Sequence, residues 1–271
     1  MPKSLLFTVL ALITVIAMAL SACHRGPSEE APARLTIAAA SDLRFAMEDL
    51  IADFKAQRPA ESEPVDLRVT YGSSGNFYAQ LTQRAPFDMY FSADILYPAR
   101  LVDDGLALGN SLFEYAIGRI VIWVPKSSPL NVETLQWETL TSERARRIAI
   151  ANPEHAPYGK AAVAAMKTAG IYDQVSSRLV YGENIAQAAQ FIESGAADTG
   201  IIALALAIAP AMADKGKFWE IPTDMFPTML QAGLITKWTK NPDLAREFQA
   251  YILSERGQQI LREYGFFLPN E

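Results

Sequence analysis

The stretch Leu35-Thr36-Ile37-Ala38-Ala39-Ala40-Ser41-Asp42-Leu43-Arg44-Phe45 decides how the chain is read. Residues 35–40 form an apolar run that reads as a buried strand. It stops at Ser41 and turns directly into a helix beginning near Asp42. Ala38, Ala39 and Ala40 leave room for another backbone or a bound group, and Ser41 is a favoured helix N-cap with a hydroxyl to offer. The first N–H groups of a helix have no partner inside it and carry partial positive charge. Such a junction suits an anion; a Ser41 that merely caps its own helix is the plainer alternative.

Composition narrows the function classes. The 271 residues are half hydrophobic and a fifth charged, with a net charge of -6 and a pI near 5.1. That is the make-up of a globular protein of one or two domains. No Lys/Arg stripe is available to neutralise phosphates, which argues against nucleic acid. An anion would therefore have to be held by local dipoles.

Residues 1–22 read as a targeting segment, with Lys3 ahead of an apolar core over 5–20. The ending Leu20-Ser21-Ala22-Cys23 resembles the lipobox of bacterial lipoproteins, in which cleavage precedes the cysteine and that cysteine is acylated. An uncleaved anchor is the alternative, but the apolar run is short for a span. Cys23 is the sole cysteine, so no internal disulfide can form. Residues 23–33 are polar and Pro-rich, as a tether would be. The resemblance implies a mature protein held at an outward-facing membrane surface by acylated Cys23.

From Arg34 onward strand and helix patterns alternate, the mark of an α/β fold with mainly parallel sheets. The strand-to-helix junction recurs three times. Residues 65–71 form a strand followed by Gly72-Ser73-Ser74-Gly75 and a helix from about Asn76, although turn chemistry alone could account for that tetrapeptide. A strand over 148–151 leads through Pro153 and Pro157 to a helix over 161–169, leaving the amides of Tyr158, Gly159 and Lys160 as expected free donors. A strand over 179–181 gives way to Gly182-Glu183-Asn184, an Asn cap, and a helix over 185–193. Further strands are expected over 87–93, 118–125, 198–203 and 230–236. Helices are expected over 95–104, 135–140, 204–213 and 242–262. Chain crossings fit near 115–119 and 229–235, which suggests lobe 1 over 34–115 and 232–271 and lobe 2 over 116–231. Ligands in open α/β sheets sit beyond the carboxyl ends of strands, so two such lobes would gather four bare helix starts round one cleft.

These residues carry a family likeness. AAASDL at 38–43, GSSG at 72–75, NPEHAPYGKAA at 152–162, GEN at 182–184 and the closing REYGFFLP resemble the molybdate-binding proteins of ABC importers. The likeness runs in order through nearly all of 34–269. It implies a two-lobed periplasmic-binding-protein fold with hinge crossover strands, type II-like, closing on one tetrahedral oxyanion, molybdate or tungstate. It also implies a membrane permease and its ATPase as partners, a periplasmic location, a monomer and no cofactor. Carried over position by position, the family's two serines fall on Ser41 and Ser74, and the opposite lobe's donors on the backbone of Tyr158 and Ile185. One branch of the family has a tyrosine where this chain has Ile201-Ile202-Ala203, so that phenol is missing. Another branch recruits the residue after the first serine, here Asp42, and has tyrosine where Tyr158 stands.

A tetrahedral dianion has four acceptor oxygens and, near neutral pH, no proton to give, so a site made only of donors matches it. Hydrogen phosphate would leave its own O–H facing donors, at a cost of roughly 1–3 kcal/mol. Sulfate obeys the same donor logic and differs mainly in size. An inward Asp42 carboxylate would repel a dianion, yet accept phosphate's proton. The expectation is an outward Asp42 side chain, stabilised at its helix start, with only its N–H near the ligand. Ser41, Ser74 and His155 could be imagined as a nucleophile and base, but no GxSxG elbow is present, and His155 reads as a packing or solvent-facing loop residue. No His/Cys cluster suited to a metal cation is present.

Overall fold

The computed structural model describes residues 32–60 and 62–269. The expected signal peptide, most of the tether and the acylation site Cys23 lie outside the described residues. Ala33, read above as tether, already belongs to the first strand.

The strands are β1 (Ala33–Ala40), β2 (Val65–Gly72), β3 (Met89–Ser92), β4 (Phe113–Gly118), β5 (Ile120–Pro125), β6 (Ile148–Ala151), β7 (Leu179–Gly182), β8 (Thr199–Ala203), β9 (Gly216–Glu220) and β10 (Met229–Ile235). They form two five-stranded sheets, ordered β2-β1-β3-β10-β4 and β7-β6-β8-β5-β9. In the first, β1 pairs in parallel with β2 and β3, while β10 runs antiparallel to β3 and β4. In the second, β6 pairs in parallel with β7 and β8, while β5 runs antiparallel to β8 and β9. The two arrangements match: each sheet is completed near one edge by a strand that arrives from the other. This is the two-lobed α/β architecture of periplasmic binding proteins.

The chain passes between sheets at Arg119 and again over residues 221–228. Since β4 runs to Gly118 and β10 starts at Met229, the lobe boundaries expected at 115/116 and 231/232 fall inside strands of the first sheet. Lobe 1 is used below for the first sheet and its helices, lobe 2 for the second. β4 and β9 were not foreseen.

The main helices are α1 (Arg44–Gln57), α2 (Ser74–Thr82), α3 (Leu96–Asp103), α4 (Pro157–Thr168), α5 (Ile185–Glu193), α6 (Pro242–Ile252) and α7 (Glu255–Glu263). β1 is buried over its last four residues, as a central strand covered on both faces must be. α1 turns Ala46, Met47, Leu50 and Phe54 inward at helical spacing, and Phe54 meets Phe248 of α6 with ring centroids 5.1 Å apart. The helix expected over 204–213 is two turns, Leu204–Ala207 and Pro210–Ala213, because a proline cannot continue the hydrogen-bond ladder. The helix expected over 242–262 breaks at Ser254, whose Oγ accepts from the Gly257 amide at 3.2 Å and starts α7 afresh. Around 135–140 there are two short turns, Val132–Leu135 and Glu138–Thr141, with Gln136 between them at φ 49°.

The C-terminal segment braces the crossing. Ile117 of β4 and Phe267 exchange backbone bonds of 2.7 and 3.2 Å. Arg119 lies over the Phe267 ring, 4.2 Å from its centroid, and its guanidinium also bonds the Glu220 carboxylate at the end of β9. Among the described residues no helix is long and apolar enough to cross a membrane.

Candidate functional site

Four helix starts follow the first and second parallel strands of each lobe, at β1, β2, β6 and β7. Their residues Ser41, Asp42, Ser74, Tyr158 and Ile185 line one tight cavity of ≈ 10 Å³, together with Gly72, Ser73, Ala93, Ala156 and Pro157. Two lobes thus contribute to one small space, and no lysine, arginine or histidine lines it. A roomier groove of ≈ 390 Å³ shares Ser41 but is walled by Arg44, Tyr71, Glu193 and side-chain amides. It has no convergence of helix starts from all four junctions.

Ser41 opens a short 3-10 turn (Ser41–Leu43) ahead of α1, and its side chain caps neither. Its Oγ instead accepts the amide N–H of Ala186, at the start of α5 in the other lobe, at 3.3 Å. Ser74 is the first residue of α2, and its Oγ accepts the Ala93 amide at 3.0 Å. Each hydroxyl therefore accepts one backbone amide and keeps its own proton to give. Ser73, not Ser74, caps α2, accepting the Asn76 amide at 3.3 Å.

In lobe 2, Pro157 occupies the first turn of α4, and Asn184 caps α5 by accepting the Gln187 amide at 3.0 Å. Among the described residues no backbone carbonyl receives the amide of Tyr158 or of Ile185. The amides of Gly159 and Lys160, expected to be free, both return to the Ala156 carbonyl at 3.0 and 3.2 Å. The first turn of α4 tightens on itself and leaves Tyr158 as its donor.

Asp42 corrects an expectation. Its side chain does not point outward: the residue is 1 % exposed. Oδ2 accepts the Tyr158 hydroxyl at 2.9 Å and Nε2 of Gln231 at 2.8 Å, while Oδ1 is buried without a hydrogen-bond partner. Tertiary partners outweigh the pull of the local helix start. Burial pushes the carboxyl up to about 6, against hydrogen bonds led by that of Gln231. Burial, with the neighbouring Asp42 charge second, pushes the phenols of Tyr158 and Tyr115 well above their ordinary value.

Gln231 and Tyr115 were missed. Gln231 Nε2 also lies 3.1 Å from the Tyr158 hydroxyl, and its Oε1 accepts from Tyr115, whose phenol is also 3.1 Å from the Ser92 carbonyl. The available signal was one glutamine inside the apolar strand MLQAGLI, fully buried with its amide needing partners.

His155 also stands differently from its loop reading. Its Nδ1 pairs with Ser73 Oγ at 2.9 Å and its carbonyl receives the Gly75 amide at 2.9 Å, so it joins the two lobes. Among its hydrogen bonds none goes to Ser41 or Ser74. A Cβ on Gly75 would sit 2.6 Å from that carbonyl oxygen, so the glycine is needed for close approach of the lobes and not for turn conformation.

The sequence model for "Bacterial extracellular solute-binding protein" matches residues 35–267. The chain belongs to the bacterial extracellular solute-binding protein family. Relatives of this solute-binding protein include the molybdate-binding protein ModA of Azotobacter vinelandii, 30% identical over 97% of this chain and 99% of that one. The ModA protein of Rhodobacter capsulatus is 34% identical over 73% of this chain and 77% of its own length. Among solved structures, the Azotobacter vinelandii periplasmic molybdate-binding protein superposes with a TM-score of 0.79 at 32% identity, covering 87% of this chain and 99% of that one. These relatives are named as binding proteins, and this solute-binding protein is likewise not an enzyme.

Proposed function

We propose that the chain captures molybdate, and tungstate with it, in the cavity between its lobes and delivers it to an ABC permease and its ATPase. The mature protein works as a monomer in the periplasm, held to a membrane by acylated Cys23. Ser41, Ser74 and the backbone amides of Asp42, Tyr158 and Ile185 are the oxyanion's donors. The observation that carries the reading is the pair of serine hydroxyls, each already accepting one backbone amide, in the same cavity as the unpartnered amides of Tyr158 and Ile185 from the opposite lobe. Such a wall supplies donors without a buried cation, which suits an anion that has acceptors only. The relatives from Azotobacter vinelandii and Rhodobacter capsulatus are named as molybdate-binding, which agrees with that chemistry.

Closure follows as a population shift. The anion touches both lobes only when they are shut, so its binding favours that form.

A second reading, hydrogen phosphate, has one specific observation in its favour: the bare Oδ1 of Asp42, an acceptor for a ligand's proton. Calorimetric titration of the unlipidated protein with molybdate, tungstate, sulfate and phosphate decides. Tightest binding of molybdate or tungstate is expected; tightest binding of phosphate overturns the assignment. A Cys23→Ser variant that stays in the membrane fraction would overturn the anchor.

A further inference from the structure

The buried carboxyl of Asp42 makes no ion pair, and its two oxygens differ. Oδ2 accepts two donors, the Tyr158 hydroxyl and Gln231 Nε2, while Oδ1 has no hydrogen-bond partner, although the backbone amides of Asp42 and Leu43 act on the carboxyl in favour of its charged form. That division fits a neutral acid, whose carbonyl oxygen takes donors while the other oxygen carries a proton. In this geometry the Oδ1 proton has no acceptor from the protein, and the residue lines the cavity assigned above to the oxyanion.

We propose that Asp42 is the proton-coupling and specificity-determining residue of the site: capture of a dianion takes up one proton from solvent, which settles on Oδ1 and is donated to a ligand oxygen. The inference rests on the oxyanion reading of the cavity. The balance is simple: carboxylate, dianion and one proton become a neutral carboxyl bonded to a dianion, and release returns the proton.

The surroundings support it from each side. α4 presents the Tyr158 phenol and β4 the Tyr115 phenol, both too weakly acidic to change charge. β10 presents the uncharged Gln231, held in orientation by Tyr115 at 2.9 Å. The start of α5 and the turn Leu204–Ala207 bring no ionisable group against it, and α1, packed on the same turn, carries the exposed Arg44 at its start. Nothing cationic bonds the carboxylate, so a dianion placed beside it meets like charge that only protonation relieves. Burial already pushes this carboxyl up to about 6 without a ligand. Its neutral form adds a donor to a wall of donors, whereas its charged form would select against dianions.

The test is calorimetric titration with sodium molybdate at pH 8 in two non-oxyanion buffers of different protonation enthalpy. Wild-type protein is expected to take up close to one proton per molybdate, and its Kd to rise by up to tenfold per pH unit between pH 7 and 9. Asp42→Asn, which keeps the carbonyl acceptor and replaces the O–H by N–H, is expected to take up none and to bind with a pH-independent Kd. His155→Asn, altering the imidazole that bonds Ser73 across the lobes, is expected to keep the uptake. Binding without uptake in wild type overturns this inference alone, as does uptake that persists in Asp42→Asn or disappears in His155→Asn. No molybdate binding by wild type overturns the functional reading and this inference with it.

Discussion

The hydroxyl of Tyr158 stands 2.9 Å from Oδ2 of Asp42, joining the first turn of α4 in lobe 2 to the turn that follows β1 in lobe 1. The bond exists only while the lobes are shut. Tyr158→Phe keeps the backbone amide proposed for the ligand and deletes the cross-lobe donor. Molybdate affinity should fall roughly tenfold, the loss of one hydrogen bond to a charged or strongly polar group at about 1.5 kcal/mol. Titration alongside small-angle scattering checks this; full affinity with an unchanged closed fraction would speak against the latch.

Ser41→Ala and Ser74→Ala each remove one hydroxyl proton proposed for the oxyanion. Each also strips the acceptor from a backbone amide, Ala186 in the first case and Ala93 in the second. Binding should weaken by about 1.5–3 kcal/mol per variant, with the far-UV spectrum unchanged. Affinity equal to wild type in both would remove the site from this cavity.

Gly75→Ala addresses closure without touching a donor. Its Cβ would meet backbone of the opposite lobe, the His155 carbonyl oxygen at 2.6 Å, which cannot swing aside as a flexible side chain does. The expected result is a protein that folds, stays open and binds at least tenfold more weakly. A distance measured between labels on the two lobes, before and after molybdate, reads it directly.

Asp42 also sets a pH dependence of stability. Because the folded protein holds this proton more tightly than the unfolded chain, stability falls as pH rises from 3.8 to about 6 and is level above. The contribution is at most about 3 kcal/mol. Asp42→Asn should therefore melt higher than wild type at pH 8, and the gap should close towards pH 4. A gap that does not vary with pH would show that the carboxyl titrates normally.

The four junctions were legible because each is local: a short apolar run, a turn residue and a helix cap lie within about a dozen residues. Asn184 capping α5 is such a case. What escaped depends on distance along the chain. Gln231 meets Tyr115 and Asp42 from 116 and 189 positions away, and its place in an apolar strand says that it needs partners without saying which. Asp42 was misjudged for the same reason: a helix start argues for an exposed acid, but Tyr158 and Gln231 provide a stronger claim on its carboxylate. β4 and β9 were overlooked because each is a strand at the edge of its sheet, with an irregular apolar pattern.

The order of strands has a bearing on how the protein is made. β10 fills the gap between β3 and β4, yet it is drawn from residues 229–235, after every strand of the second sheet. A chain emerging from its amino end can complete lobe 2 while lobe 1 still lacks an inner strand. The half that begins first is finished last, and until then the facing edges of β3 and β4 are where the nascent protein is exposed to pairing with a stranger.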